Sequence, residues 1–141
     1  MRGFLFQAMR KIEHIGIAVR DLKAANATYS ALFNKPPYKM EVVESEGVST
    51  SFFEMGSSKI ELLEATREDS AIAKFIEKRG EGIHHIAYDV EDIHAERARL
   101  ISEGFQPLGE VRHGADNKYV CFFHPKSSHG VLVELCQERT E

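Results

Sequence analysis

Cysteine is scarce in this chain, with two residues in 141, and neither Cys121 nor Cys136 belongs to a CxxC spacing. Each lies in an apolar, strand-like stretch, which argues against a disulfide framework or a thiolate zinc site. It points to a reducing compartment, the cytoplasm or an organelle matrix. Positive charge is not in excess either. The formal net charge is −4 and no run of Lys and Arg occurs, so neither a nucleic-acid surface nor a basic membrane patch is expected. Long apolar runs are missing: no stretch approaches the roughly 20 residues that cross a bilayer. The opening MRGFLFQAM has one arginine, a brief apolar stretch and no convincing cleavage site, unlike a secretion signal. Residues 1–10 read as an extension ahead of the fold. What remains is ordinary for a soluble globular protein, with 43% hydrophobic and 28% charged residues, enough for one domain or two small modules sharing a core.

Two stretches look like one strand written twice: KIEHIGIAV at 11–19 and GIHHIAYDV at 82–90, with His14 and His85 at matching places. The repeat continues. Asp21 and Asp92 are each placed to cap a following helix, one burying Leu22, Ala25, Tyr29 and Leu32, the other Ile93, Leu100 and Ile101. NKPPY and EGFQP stop these helices. A strand follows in each half, YKMEVVES and FQPLGEVR, and then a hairpin. The first hairpin pairs STSFFEM with KIELLEA across GSS, and the second pairs KYVCFFH with VLVELCQ across PKSSHG. The plan is βαβββ twice, an α+β fold, with modules at 11–65 and 82–137 and a tail at 138–141. A linker helix within 66–81 docks through Ile72, Phe75 and Ile76. Internal duplication of this length outweighs any single motif as an organisational signal.

Side chains alternate across a strand, which separates the histidines. Ile15, Ile17 and Val19 form a bulky face for the helix, and so do Ile86, Tyr88 and Val90. His14 lies on the opposite face with Ile12, Gly16 and Ala18, and His85 with Ile83 and Ala87. Both imidazoles therefore stand among small residues, where a cleft fits. The adjacent His84 matches Glu13 and faces away.

The closing hairpins hold a second duplicated pair, Glu61 in KIELLEA and Glu134 in VLVELCQ. A carboxylate centred in an apolar strand is costly unless paired, protonated or metal-bound, yet here it occurs twice. Any one of the four residues alone reads best as an ordinary satisfied or solvated group. Together across a pseudo-twofold, His14, Glu61, His85 and Glu134 read as ligands of one divalent metal ion. Two imidazole nitrogens and two carboxylate oxygens suit Co, Mn, Ni, Zn or Fe(II).

HIGIAVRDL, GVSTSFFEMGSSKIELLEA, EGIHHIAYDVEDI and FFHPKSSHGVLVELCQ resemble the vicinal oxygen chelate superfamily, that of glyoxalases, bleomycin resistance proteins and extradiol dioxygenases. Within it they are most similar to the methylmalonyl-CoA epimerase family. The resemblance spans residues 11–137 and is most specific where HPK, a spacer and GVLVEL occur together. It implies paired βαβββ modules forming a curved, incompletely closed eight-stranded barrel-like sheet around a metal, with His14, Glu61, His85 and Glu134 as ligands. It further implies one divalent ion, cobalt foremost, a homodimer, and interconversion of (R)- and (S)-methylmalonyl-CoA by α-proton abstraction through a metal-stabilised enolate. Glu61 and Glu134 are then the nearest general bases. One departure stands out: some epimerases carry a glutamate early in the first hairpin, where this chain has Thr50.

His124, Lys126 and His129, in or beside the second hairpin turn, are candidates to meet an anionic coenzyme A moiety, Lys126 and His124 before the rest; Lys118 and Arg112 are weaker. The run EDIHAERAR reads as a solvated face with His94 at the surface, and Phe52, Phe53, Phe122 and Phe123 read as core. Three rivals share the fold. A lactoylglutathione lyase-like enzyme would use the same quartet, a ring-cleaving oxygenase would prefer two histidines and one carboxylate, and a metal-free binding module would lose the ligands.

Overall fold

The computed structural model describes residues 9–140, so most of the 1–10 extension lies outside the described residues. The elements run β1 (Lys11–Ala18), α1 (Leu22–Phe33), β2 (Lys39–Val43), β3 (Val48–Met55), β4 (Ser58–Ala65), α2 (Ala71–Arg79), β5 (Gly82–Asp89), α3 (Ile93–Ser102), β6 (Pro107–His113), β7 (Lys118–Phe123) and β8 (Leu132–Glu138). A short 3-10 turn, Pro125–Ser128, joins β7 to β8. This is the βαβββ plan twice, four strands in each copy. The chain divides into two compact units, His14–His84 and a second that joins residues 9–13 to residues 85–140, with both boundaries inside strands.

Within the first unit the strand order is β2-β3-β4-β1. Neighbours β2, β3 and β4 are antiparallel, and β1 runs parallel to β4 with Gly16 opposite Glu61. The second unit repeats the order as β6-β7-β8-β5, with β5 parallel to β8 and Ala87 opposite Glu134. The register is the same in both: the residue two after each histidine faces the glutamate.

Helix starts follow the predicted caps. Asp21 Oδ1 accepts from the Ala24 N–H and Asp92 Oδ1 from the Ala95 N–H, both at 3.1 Å, satisfying donors that a helix leaves orphaned. A second duplicated device sits on the closing strands. Glu64 accepts from the Leu22 N–H at 2.6 Å, and Gln137 accepts from the Ile93 N–H at 2.7 Å. Each is three residues after a central glutamate, on the opposite strand face, so β4 and β8 each pin a helix start on one side and present a carboxylate on the other.

Val19, Leu22, Phe53 and Leu62 form the first helix-side core, with Ile17, Ala25, Tyr29 and Phe33 packed around it. Val90, Ile93, Leu100, Cys121, Phe123 and Leu135 form the second. Two expected core positions are not core: Leu32 is 67% exposed and Ile101 is 40% exposed. Each lies late in a short helix, where Phe33 in α1 and Phe105 after α3 fill the space. The expectation of a solvated EDIHAERAR also fails at Glu96, which is 1% exposed. Its carboxylate accepts from Arg99 Nε at 2.8 Å and from Nη2 at 3.0 Å, the bidentate pairing that makes a buried carboxylate tolerable. His94 is exposed as expected. The linker helix docks through Ile72, Phe75 and Ile76 onto Ala18, Val48 and Leu63.

Candidate functional site

The site residues stand on sheet faces turned away from the α1 and α3 cores. In the first unit that face carries His14, Gly16 and Ala18 from β1, Glu61 and Leu63 from β4, and Thr50 and Phe52 from β3, where Phe52 is opposite Glu61. In the second it carries His85 and Ala87 from β5, Glu134 and Cys136 from β8, and Val120 and Phe122 from β7, where Phe122 is opposite Glu134. Small residues beside each histidine leave room for the imidazole to swing toward the neighbouring strand.

It does so in both units. His14 Nε2 lies 3.2 Å from Glu61 Oε1, the two side chains being 7% and 6% exposed. His85 Nε2 lies 3.0 Å from Glu134 Oε1, at 4% and 6% exposure. An isolated buried carboxylate would cost several kcal/mol, so the pairing is what permits each one. The donors also fit a cation. Two ligands about 2.1 Å from a metal and at right angles to each other are about 3.0 Å apart, the separation found in each pair. A nitrogen and an anionic oxygen per unit suit a borderline divalent ion such as Co, Ni, Mn, Fe(II) or Zn.

His84 packs edge-on against Phe75 of α2, with centroids 4.9 Å apart, while alternation along β5 sends it to the face opposite His85. The phenylalanines divide. Phe53 and Phe123 are fully buried in the helix-side cores; Phe52, 1% exposed, is buried as expected, and Phe122 packs half-buried against Ala87, Val120 and Cys136, both on the site faces. Phe122 meets the His85 ring edge-on at 6.0 Å and carries the Arg112 guanidinium 5.1 Å over its own ring. Position-two parity from Glu134 would have found Cys136, whereas the two phenylalanines needed the hairpin register.

The cysteines part in the same way, both free and buried. Cys121 sits in the second core, where burial pushes its thiol up to about 11, with Glu134 adding to the rise against Arg97 and Arg112. Cys136 faces the site, its Sγ 3.1 Å from Glu134 Oε2. Thr50 is 1% exposed and its hydroxyl donates to the Glu41 carbonyl at 3.3 Å. A hydroxyl so placed cannot replace a carboxylate as base.

The HPK turn is a built structure. His124 caps the 3-10 turn through Nδ1, which accepts from the Lys126 N–H at 3.0 Å, while Lys126 and His129 are exposed. Lys118 is engaged elsewhere, its Nζ 4.0 Å from Glu13 and 3.9 Å from Glu138.

Residues 13–122 match the profile of the glyoxalase/bleomycin resistance protein/dioxygenase superfamily. The chain belongs to that superfamily. Among curated superfamily proteins it is 44% identical over 130 residues to the ethylmalonyl-CoA/methylmalonyl-CoA epimerase of Cereibacter sphaeroides, covering 90% of this chain and 97% of that one. It is 39% identical over 129 residues to the mitochondrial methylmalonyl-CoA epimerase of Homo sapiens, covering 90% and 73%. Among solved superfamily structures, a substituted Streptomyces coelicolor methylmalonyl-CoA epimerase in complex with 2-nitronate-propionyl-CoA superposes with a TM-score of 0.90 at 38% identity, covering 94% of this chain and 97% of that one.

Proposed function

We propose that this protein is a metal-dependent methylmalonyl-CoA epimerase, in which His14, Glu61, His85 and Glu134 hold one divalent ion, cobalt foremost. The observation that carries this reading is the duplicated buried pair, His14–Glu61 at 3.2 Å and His85–Glu134 at 3.0 Å. Its donors make a dianionic N2O2 set that would neutralise a 2+ ion, with coordination positions left over for substrate oxygens. Similarity to epimerases over most of the chain supports the choice of substrate. The reading extends to two βαβββ modules at 11–65 and 82–137 folded as one domain around the ion, to a homodimer and to a cytoplasmic location.

The substrate carbon lies between a thioester carbonyl and a carboxylate, and its proton is too weakly acidic for an unaided carboxylate to remove. A divalent cation supplies Lewis-acid stabilisation of the charge that develops on the substrate oxygens. Glu61 and Glu134 handle the proton. One, loosened from the cation, would take it from the α-carbon as the C–H electron pair delocalises onto the thioester oxygen, while the other, or a water it directs, would return a proton to the opposite face. Inversion requires two faces, and equivalent glutamates from two repeated modules suit a two-base exchange. The neutral Thr50 leaves this task to the glutamates. His124 and Lys126, at the HPK turn, are assigned to the anionic coenzyme A moiety. The surrounding apolar faces, Phe52 and Phe122 included, limit the water that could protonate the intermediate indiscriminately.

The test is α-proton exchange and epimer interconversion of methylmalonyl-CoA in D₂O by Co²⁺-loaded protein, beside lactoylglutathione formation by the same sample. The expected result is exchange with inversion, lost on exhaustive chelation and restored by metal. Lactoylglutathione formation without exchange would assign the site to a lyase instead, and a protein that binds no metal and catalyses neither would be a binding module.

A further inference from the structure

The two half-sites are alike in their histidine and glutamate but differ one position further along the closing strand. Two residues after Glu134, on the same face, stands Cys136; two residues after Glu61 stands Leu63. Cys136 is fully buried and its Sγ is 3.1 Å from Glu134 Oε2, while Glu134 Oε1 is the oxygen 3.0 Å from His85 Nε2. The Glu134 carboxylate therefore has a named neighbour at each oxygen. Leu63 offers no donor to Glu61.

We propose that Cys136 is a positioning residue for Glu134. Its S–H donates to Oε2 and fixes the carboxylate rotamer so that Oε1 stays turned toward His85, an orientation the first module must reach without a thiol. A thiol is ordinarily a weak donor. Here its acceptor is an anion and water is excluded, conditions that strengthen a hydrogen bond. The contact is short for one made by sulfur. Outer partners of this kind orient a ligand and raise its affinity for metal, and removing one typically weakens binding about 10- to 100-fold. This inference rests on the metal reading above only for its effect on affinity.

The experiment has a metal-free arm and a metal arm. In a Cys121→Ala background without metal, the infrared S–H stretch reports Cys136 alone. It should lie below that of an unbonded thiol and move up when Glu134→Gln removes the charged acceptor. An unshifted band overturns the proposal, whatever the protein binds. In the metal arm, Co²⁺ affinity is measured by competition with a chelator for the parent, Cys136→Ala, Cys136→Ser and Leu63→Ala. The expected result is a loss of about 10- to 100-fold for Cys136→Ala, recovery toward the parent in Cys136→Ser, whose hydroxyl can donate, and little change in Leu63→Ala, which controls for lost volume at the equivalent place. Equal affinities for parent and Cys136→Ala overturn the positioning role while leaving the metal site standing. A parent that binds no Co²⁺ rejects the metal site instead, and the infrared arm still decides the hydrogen bond. Should Cys136→Ala fail to fold, Cys136→Ser remains decisive, because a hydroxyl that restores folding but loses metal as Leu63→Ala does not would contradict rescue by a donor.

Discussion

The two units share a buried His–Glu pair, its register and the aromatic ring opposite the glutamate, yet the surface around each pair is finished differently. Beside Glu61 the face is closed by Leu63, Ala18 and Val48, onto which α2 packs Ile72, Phe75 and Ile76. Beside Glu134 it carries the Cys136 thiol and an arginine stacked on Phe122. Their closing hairpins differ too, GSS in one and a 3-10 turn capped by His124 in the other. Where the chain must present a buried carboxylate against an imidazole, the two copies agree, because the energy of an unpaired buried charge leaves no alternative. Where the demand is only to cover apolar surface, they diverge. Shared features thus mark what a buried carboxylate requires, and unshared ones mark how each face is covered.

The largest effects should come from breaking the shared pair. His14→Ala or His85→Ala should each weaken metal binding by more than the roughly 100-fold that loss of an outer partner costs, and abolish activity with it. His84→Ala, on the other face, should retain full metal content by elemental analysis. A His85→Ala protein with full occupancy would break the equivalence of the two halves.

Next in size are the glutamates. Glutamine at either position keeps a carbonyl oxygen for the metal but cannot accept a proton, so Glu61→Gln and Glu134→Gln, each checked for metal, should lower epimerisation by about 10²- to 10⁴-fold. At least one should still exchange the α-proton of a single epimer in D₂O without inverting it, observable by NMR. Parent-rate epimerisation in both metal-loaded variants would show that the proton moves through another group.

The scaffold tests are smaller and should be symmetric. Asp21→Ala and Asp92→Ala each remove an equivalent N-cap and should cost about 1 kcal/mol apiece by denaturant unfolding. Unequal losses would show that one module leans more heavily on its helix. Lys126→Ala probes a feature without a counterpart in the first hairpin. Loss of an exposed charge contact should raise KM for the thioester about two- to fivefold with kcat little changed, and an unchanged KM would return Lys126 to solvent.

The smallest effect separates the cysteines. Burial raises the Cys121 thiol from 9.0 to about 11, so the neutral form is favoured in the fold. Its contribution is intact below pH 9 and is lost as pH rises through 11, because the unfolded thiol ionises first. Unfolding curves of the parent should therefore lose more stability over that interval than those of Cys121→Ala, and equal slopes would contradict the burial of the thiol.

Most of the scaffold was legible in the chain because it depends on short-range periodicity. The repeat of KIEHIGIAV in GIHHIAYDV, the caps Asp21 and Asp92, and the parity that separates His85 from His84 all follow from a period of two in strands and from the needs of helix ends. The buried His–Glu pairs were legible for the same reason, since a duplicated carboxylate in an apolar strand is a signal in itself. Other features depended on which residue lies opposite which, and that is decided only when strands pair. Register placed Phe52 and Phe122 across from the glutamates and kept Phe53 and Phe123 in the cores, although each pair is adjacent in the chain. Packing at the ends of α1 and α3 left Leu32 and Ile101 exposed, while Glu96 was buried because Arg99 lies one turn away. The two cysteines read alike as apolar strand residues. Only the fold gave one a hydrophobic core, where its thiol is inert, and gave the other a carboxylate at 3.1 Å, because a side chain's chemistry is fixed by the residue but its partner is fixed by the neighbouring strand.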